Sequence, residues 1–355
     1  MPTPSTTSSD DMWTRRLAFD GGIHLTVREE WHAGIGGTVW QGSIIAGRFL
    51  ASPAFTAARM GALPPGARAI ELGAGVTGVP SLVLAALAAR TGCLAEIVVT
   101  DTCECLEGLE AAARANAPPG ASVVVAPAPA ARVAAPASEG GDPSDGWALP
   151  RSVVEAVAGE AGVDGRLSGP PSPPPPPPPL PGLAGGEGGR GSTAAASQAP
   201  TRHPTPPHPV TLRVAELDWG SVTPALVAAP LEAGGLGGPF DLVVVADCVY
   251  HPPAMEALVR AMRLLTAPGG QALLAFYERS VPAASQFWPR LRAGFAVTHV
   301  PAAAYGCAGA DAVATRADGS AGPVVGMFDL VRVGEAEYGR REAARRKGPG
   351  ACGML

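Results

Sequence analysis

The sequence predicts a doubly wound α/β domain, and three observations carry that expectation. A glycine turn, Gly73-Ala-Gly75-Val-Thr-Gly78, stands between a short strand pattern and an apolar helix pattern. A continuous apolar run at residues 240–246, FDLVVVA, has the character of a central parallel strand covered on both faces. Around these, strand patterns alternate with helix patterns, the order that builds a mostly parallel sheet flanked by helices.

Residues 68–72 form the strand that enters the glycine turn. Residues 78–90 follow as a helix apolar nearly all round and hence buried, with Pro80 tolerated in the first turn, where its missing N–H has no partner to lose. The β-branched run 96–100 is the next strand. In the helix 104–115, Leu106, Leu109 and Ala113 share one face while Glu110 and Arg114 pair at i,i+4 on another. After a long interruption, 210–217 alternates as a strand and 240–246 follows it. Met255, Leu258, Val259, Met262 and Leu265 then stand at helical spacing. A turn at 267–270 leads to a strand at 271–276, and 295–299 and 324–333 supply two closing strands.

The 46 glycines and 39 prolines make up roughly a quarter of the chain, a share that signals low-complexity segments beside the globular part. They concentrate in residues 117–209, a tract of Ala, Gly, Ser and Pro that includes seven consecutive prolines at 173–179. Such a tract cannot bury enough apolar surface to offset the entropy of ordering, so it is expected to be a disordered insertion with a polyproline II rod in its middle. Only Trp147, Val153 and Val154 offer the start of a short helix there. Residues 1–18 are expected to be a disordered leader, since Asp10, Asp11 and the late first arginine, Arg15, do not suit an organellar transit peptide. Residues 334–355 are expected to be a disordered tail, which leaves 19–116 and 210–333 as the two parts of one domain.

A net charge of -5 with only 26 Lys and Arg gives no electrostatic footprint for a phosphate backbone, which argues against nucleic acid. Cys93, Cys103, Cys105, Cys248, Cys307 and Cys352 contain no C-x-x-C pair and no regular spacing. That argues against a zinc site or a disulfide framework and for a reducing, cytoplasmic compartment. No apolar run approaches the roughly 20 residues of a membrane span. His203 and His208 lie in the proline tract and read as solvated rather than as metal ligands. Arg340, Arg341, Arg345, Arg346 and Lys347 read as a solvated basic tail rather than as a partner site or nuclear address.

The chemistry is expected at the carboxyl ends of the strands, where open α/β sheets bind ligands. The G-x-G-x-x-G spacing from Gly73 to Gly78 follows a strand and opens a helix, so free backbone N–H groups are available to a ligand. By itself it fits a nicotinamide cofactor, a flavin, S-adenosyl-L-methionine or a mere tight turn. Asp101 ends the next strand, where an acidic side chain accepts hydrogen bonds from a ribose; it also suits the cap of the following helix. Leu217-Asp218-Trp219-Gly220 and Asp247-Cys248-Val249-Tyr250 follow the third and fourth strands, with Trp40, Trp219 and Tyr250 open to a core reading as well.

Five segments in this order carry a resemblance: Gly37-Thr-Val-Trp40-Gln-Gly-Ser43, Glu71-Leu-Gly-Ala-Gly75, Leu217-Asp-Trp219-Gly220, Asp247-Cys-Val-Tyr250 and Tyr277-Glu-Arg279. Together they resemble the seven-strand protein lysine methyltransferases of methyltransferase family 16, the group that includes the enzyme acting on the valosin-containing ATPase. The resemblance covers roughly residues 19–116 and 210–333. It implies a Rossmann-like sheet of seven mostly parallel strands, S-adenosyl-L-methionine as cofactor and a protein lysine as acceptor. Carried over, it implies that Trp40, Gly73, Gly75, Asp101 and Trp219 hold the cofactor, with Glu71 and Ala246 at the strand ends facing the same crevice. It also implies that Asp247 and Tyr250 line the acceptor channel as catalytic residues, with no metal. The sequence departs from the family in its longer glycine turn, ELGAGVTGVP, and in the insertion after the second helix.

Other readings separate from this one by experiment. A methyltransferase acting on another side chain or a small molecule shares every motif. A nicotinamide oxidoreductase is disfavoured by the L-D-W-G and D-x-x-Y segments and by the lack of a second catalytic domain. An inactive scaffold would use the polyproline tract to recruit SH3-like or WW-like domains and need not bind the methyl donor.

Overall fold

A computed structural model describes residues 12–126, 207–278, 280–306 and 325–347. Elements follow in chain order. A hairpin of β1 (Met12–Phe19) and β2 (Ile23–Glu30) leads to α1 (Gln41–Ala51) and α2 (Pro53–Ala58). Then come β3 (Ala67–Leu72), α3 (Val79–Thr91), β4 (Leu94–Asp101), α4 (Leu106–Asn116) and β5 (Ala121–Val125). The second half contributes β6 (Val210–Glu216), α5 (Pro224–Ala228), β7 (Phe240–Ala246), α6 (Met255–Leu265) and β8 (Thr266–Tyr277). It closes with α7 (Val281–Gly294), β9 (Phe295–Val300), β10 (Val325–Arg332) and α8 (Glu335–Arg346).

The main sheet has the order β5-β6-β4-β3-β7-β8-β10-β9. Its ladders are parallel except where β10 runs antiparallel between β8 and β9. The chain winds outwards from β3 in one direction and then from β7 in the other, so the crevice opens where β3 and β7 lie side by side. Strand alternation sends successive side chains to opposite faces, and helices cover both. Ile70, Leu72, Val98, Val243 and Val245 pack against α6 and α7, while Ala69, Ile97, Val99 and Val244 pack against α1 and α3. This two-sided burial is why FDLVVVA reads as unbroken apolar sequence.

The structure corrects several expectations. The sheet has eight strands rather than seven, because β5 lies within 117–209 and pairs in parallel with β6, so the insertion begins later than its composition suggests. Three consecutive valines after the turn at Gly120 suit that edge strand. The leader expected at 1–18 contains most of β1, whose Phe19 is buried against Gly47 of α1. The tail expected at 334–355 contains α8, which docks by polar contacts: Arg263 pairs with Glu335 at 2.6 Å and lies 3.7 Å from the Tyr338 ring centroid. Its basic cluster is internally balanced, with Arg340 and Arg341 on Glu337 and Arg345 and Arg346 on Glu342. The turn expected at 267–270 is a register shift inside β8, with Gly269 at φ 77°. Among the described residues no helix is long and apolar enough to cross a membrane. The proline run, Trp147, Val153, Val154, His203, Arg279, Cys307 and Cys352 lie outside the described residues.

Candidate active site

The site grows from the end of β3. Gly73, Gly75 and Gly78 all take positive φ (68°, 61° and 51°), a turn that L side chains resist, and each glycine has a different neighbour. A Cβ on Gly73 would stand 2.6 Å from Cys248 Sγ and 3.0 Å from Trp219 Cζ2. One on Gly75 would stand 2.6 Å from the Gly36 carbonyl oxygen. One on Gly78 would stand 2.8 Å from Leu109 Cδ1, so this glycine serves packing between α3 and α4. The longer turn thus still ends where α3 begins.

Asp101, at the end of β4, faces this turn. Its Oδ2 accepts the Gly75 N–H at 2.7 Å and its Oδ1 accepts the Thr102 N–H at 2.7 Å. Burial pushes its pKa up, and the hydrogen bonds from Gly75 and Thr102 oppose that push. Each carboxylate oxygen has more than one lone pair, so Asp101 keeps acceptor capacity for ribose hydroxyls. Trp219 is held by a one-turn helix in which Asp218 Oδ1 accepts the Gly220 N–H at 2.9 Å, and its indole lies along the glycine turn.

Glu71 and Ala246 are buried rather than open to the crevice. Glu71 Oε2 accepts the Ser81 N–H at 2.9 Å, which fixes the first turn of α3, and burial raises its pKa to about 7. The Ala246 carbonyl accepts the Cys248 thiol at 3.3 Å, and the same thiol reaches the Leu72 carbonyl at 3.2 Å, joining the ends of β7 and β3. Burial raises the Cys248 pKa, so the sulfur is a neutral donor.

Trp40 precedes α1 and donates its indole N–H to the Ile35 carbonyl at 2.7 Å. The segment is anchored from β2 by Glu29, 3% exposed, which accepts the Thr38 hydroxyl at 2.6 Å and the Val39 N–H at 2.8 Å and pairs with Arg15. Sequence reasoning missed Glu29, although the alternation of β2 places it among buried positions.

Asp247 follows β7 at φ 59°, a left-handed conformation in a residue other than glycine. Its Oδ2 accepts the Gly42 N–H at 2.5 Å, and a Cβ on Gly42 would stand 2.7 Å from Asp247 Cγ. The G-T-V-W-Q-G-S and D-x-x-Y motifs therefore meet, and the N-terminus of α1 faces the carboxylate. Tyr250 is partly exposed three residues on, and burial raises its pKa well above the usual phenol value, so it remains a hydroxyl donor at neutral pH.

A family model described as lysine methyltransferase matches residues 20–127 and 210–293, more than half of the chain. The chain belongs to this lysine methyltransferase family. Its fold is the α/β methyltransferase fold, and its methyl donor is S-adenosyl-L-methionine. The residues present fit that donor: a glycine turn at the crevice, a carboxylate with acceptor capacity at the end of β4, and an indole beside the turn. Among solved structures, the methyltransferase is similar to a predicted O-methyltransferase from Agrobacterium tumefaciens, at 12% identity over 83% of this chain and 82% of that one, with a TM-score of 0.35. It is also similar to the S-adenosylmethionine-dependent methyltransferase SibL in its apo form, at 14% identity over 81% and 54%, with a TM-score of 0.30. A search of curated proteins returns no match.

Proposed function

We propose that this methyltransferase acts on a lysine side chain of a protein substrate. The observation that carries the reading is the place of two residues just past the carboxyl end of β7: Asp247, 8% exposed and bound to the start of α1, and Tyr250 three residues on. The family's description supports the same acceptor.

A free lysine has a pKa near 10.4, so presenting it neutral at pH 7.4 costs about 4 kcal/mol. Bound S-adenosyl-L-methionine supplies an electrophilic methyl carbon on a cationic sulfur. Tyr250 walls the approach beside that cationic sulfur, where loss of water and like-charge repulsion together disfavour a second cation and lower the lysine pKa. Asp247, fixed by the Gly42 N–H, orients the incoming ammonium until its proton leaves to solvent and the amine lone pair is free.

The test incubates the full chain and methyl-labelled donor with a substrate extract and locates the label by mass spectrometry. Methyl-lysine in a protein is the expected result. Label on arginine, histidine or a small metabolite, with no lysine modified, overturns the acceptor and leaves the methyltransferase standing.

A further inference from the structure

The strap between β2 and α1, a kinked run of turns at Trp31–Gly37, lies over the glycine turn. Gly36 is its point of contact. The Gly36 carbonyl accepts the Val76 N–H at 2.9 Å, and the Gly75 Cα lies 3.6 Å from the place a Gly36 Cβ would take. On the other side that same Cβ would overlap Cys105 Sγ. The Cys105 thiol lies near the Asp101 carboxylate, and burial beside that negative charge keeps it protonated. Asp101 closes the ring by accepting the Gly75 N–H at 2.7 Å. One residue back in the strap, Ile35 receives the Trp40 indole N–H.

From this circuit we infer that Gly36 is a positioning residue for the methyl-donor site, seated on Cys105. Glycine turn, ribose acid and Trp40 are tied to one another through a strap just wide enough for a residue without a side chain. Gly36 needs no contact with the donor to set its affinity. Its requirement is steric, because its φ lies outside the left-handed region, and the atom that imposes it is the Cys105 sulfur. Removing that sulfur leaves the Gly75 Cα at 3.6 Å and the Cys105 Cβ at 4.0 Å, which is ordinary van der Waals contact.

The test compares Gly36→Ala, Cys105→Ala and the double variant in the full chain. S-adenosyl-L-methionine affinity is measured by calorimetry, and the thermal midpoint is recorded without ligand. Gly36→Ala is expected to weaken donor binding about tenfold or more, and Cys105→Ala by about threefold or less, because it removes only the packing of the sulfur beneath the strap. The double variant is expected to return to the affinity of Cys105→Ala alone, even where Gly36→Ala by itself does not fold. Donor affinity undiminished in Gly36→Ala, or a double variant that binds at least tenfold more weakly than Cys105→Ala, overturns the inference.

Discussion

Asp247 closes the N-terminus of α1 by accepting the Gly42 N–H, which joins the end of β7 to a helix 205 residues away in sequence. The carboxylate therefore combines a capping bond with the acceptor role proposed for it. Asp247→Asn keeps an acceptor oxygen and tolerates the left-handed backbone, whereas Asp247→Ala does neither. Asparagine is expected to cost less than about 1 kcal/mol of stability and alanine about 1–3 kcal/mol, read by denaturant melts. Both are expected to lower turnover about a hundredfold or more while donor affinity stays within a few-fold. Full turnover in Asp247→Asn would reduce the residue to a helix cap.

Much of this site was legible because its strands are local and apolar. FDLVVVA at 240–246 matches β7 residue for residue, and the glycine turn sits where strand and helix patterns change period. The contact between Gly42 and Asp247 was not legible, because a helix N-terminus and a distant strand end carry no common pattern. Glu71 was assigned to the donor by its motif, yet its side chain turns under α3 to Ser81, an orientation that spacing does not encode. The hairpin of β1 and β2 did leave a signal in Asp20-Gly21-Gly22, with both glycines at φ 69°; composition around it masked the signal. Helix α8 left its signal in Glu337–Arg341 and Glu342–Arg346 at i,i+4 rather than in an apolar face, and without that face the basic cluster read as a solvated tail.

Glu71 is expected to impose a pH dependence on the fold. Its pKa rises from an ordinary 4.5 to about 7 in the folded chain, so between those values the folded state binds more protons than the unfolded state. Its contribution is fully present below the lower value and is lost as pH rises through about 7. At about 1.4 kcal/mol per unit the loss amounts to roughly 3 kcal/mol. Glu71→Gln keeps an acceptor for the Ser81 N–H without a charge. Its thermal midpoint at pH 8 should exceed that of the parent, and the gap should close at pH 5.

Donor affinity should fail at two independent points. Gly73→Ala forces a side chain into a left-handed turn and against Cys248 and Trp219, so binding should be lost with the sheet retained by circular dichroism. Asp101→Ala removes a charged acceptor worth about 1.5–3 kcal/mol, a weakening of roughly 10- to 150-fold in calorimetry. Undiminished affinity in both variants would contradict the assignment of the crevice.

Deleting residues 135–200 should leave the sheet intact. Residues 126–134 and 201–209 then connect β5 to β6, more than the dozen or so residues a parallel crossover requires. Loop-closure entropy changes slowly with length, so the cooperative melt should persist with little change in midpoint. A non-cooperative transition would show that the deleted segment contributes to the core.

The acceptor side is tested by Tyr250 and pH together. Tyr250→Phe keeps the aromatic wall and removes only the hydroxyl, whereas Tyr250→Ala removes the wall and admits water. If desolvation by the ring lowers the lysine pKa, phenylalanine should retain most of the turnover and alanine should lose about tenfold or more. The parent rate at saturating donor should rise with pH as more lysine arrives neutral. In Tyr250→Ala the rise should move to higher pH, because the acceptor's pKa returns towards its value in water. The Tyr250 hydroxyl is itself held protonated well beyond this range by burial, so its own ionisation does not shape the profile. A peptide bearing the methylated lysine, assayed over pH 6–10 with all three proteins, separates the two effects. Identical pH profiles for the parent and the alanine variant would remove desolvation by Tyr250 from the mechanism.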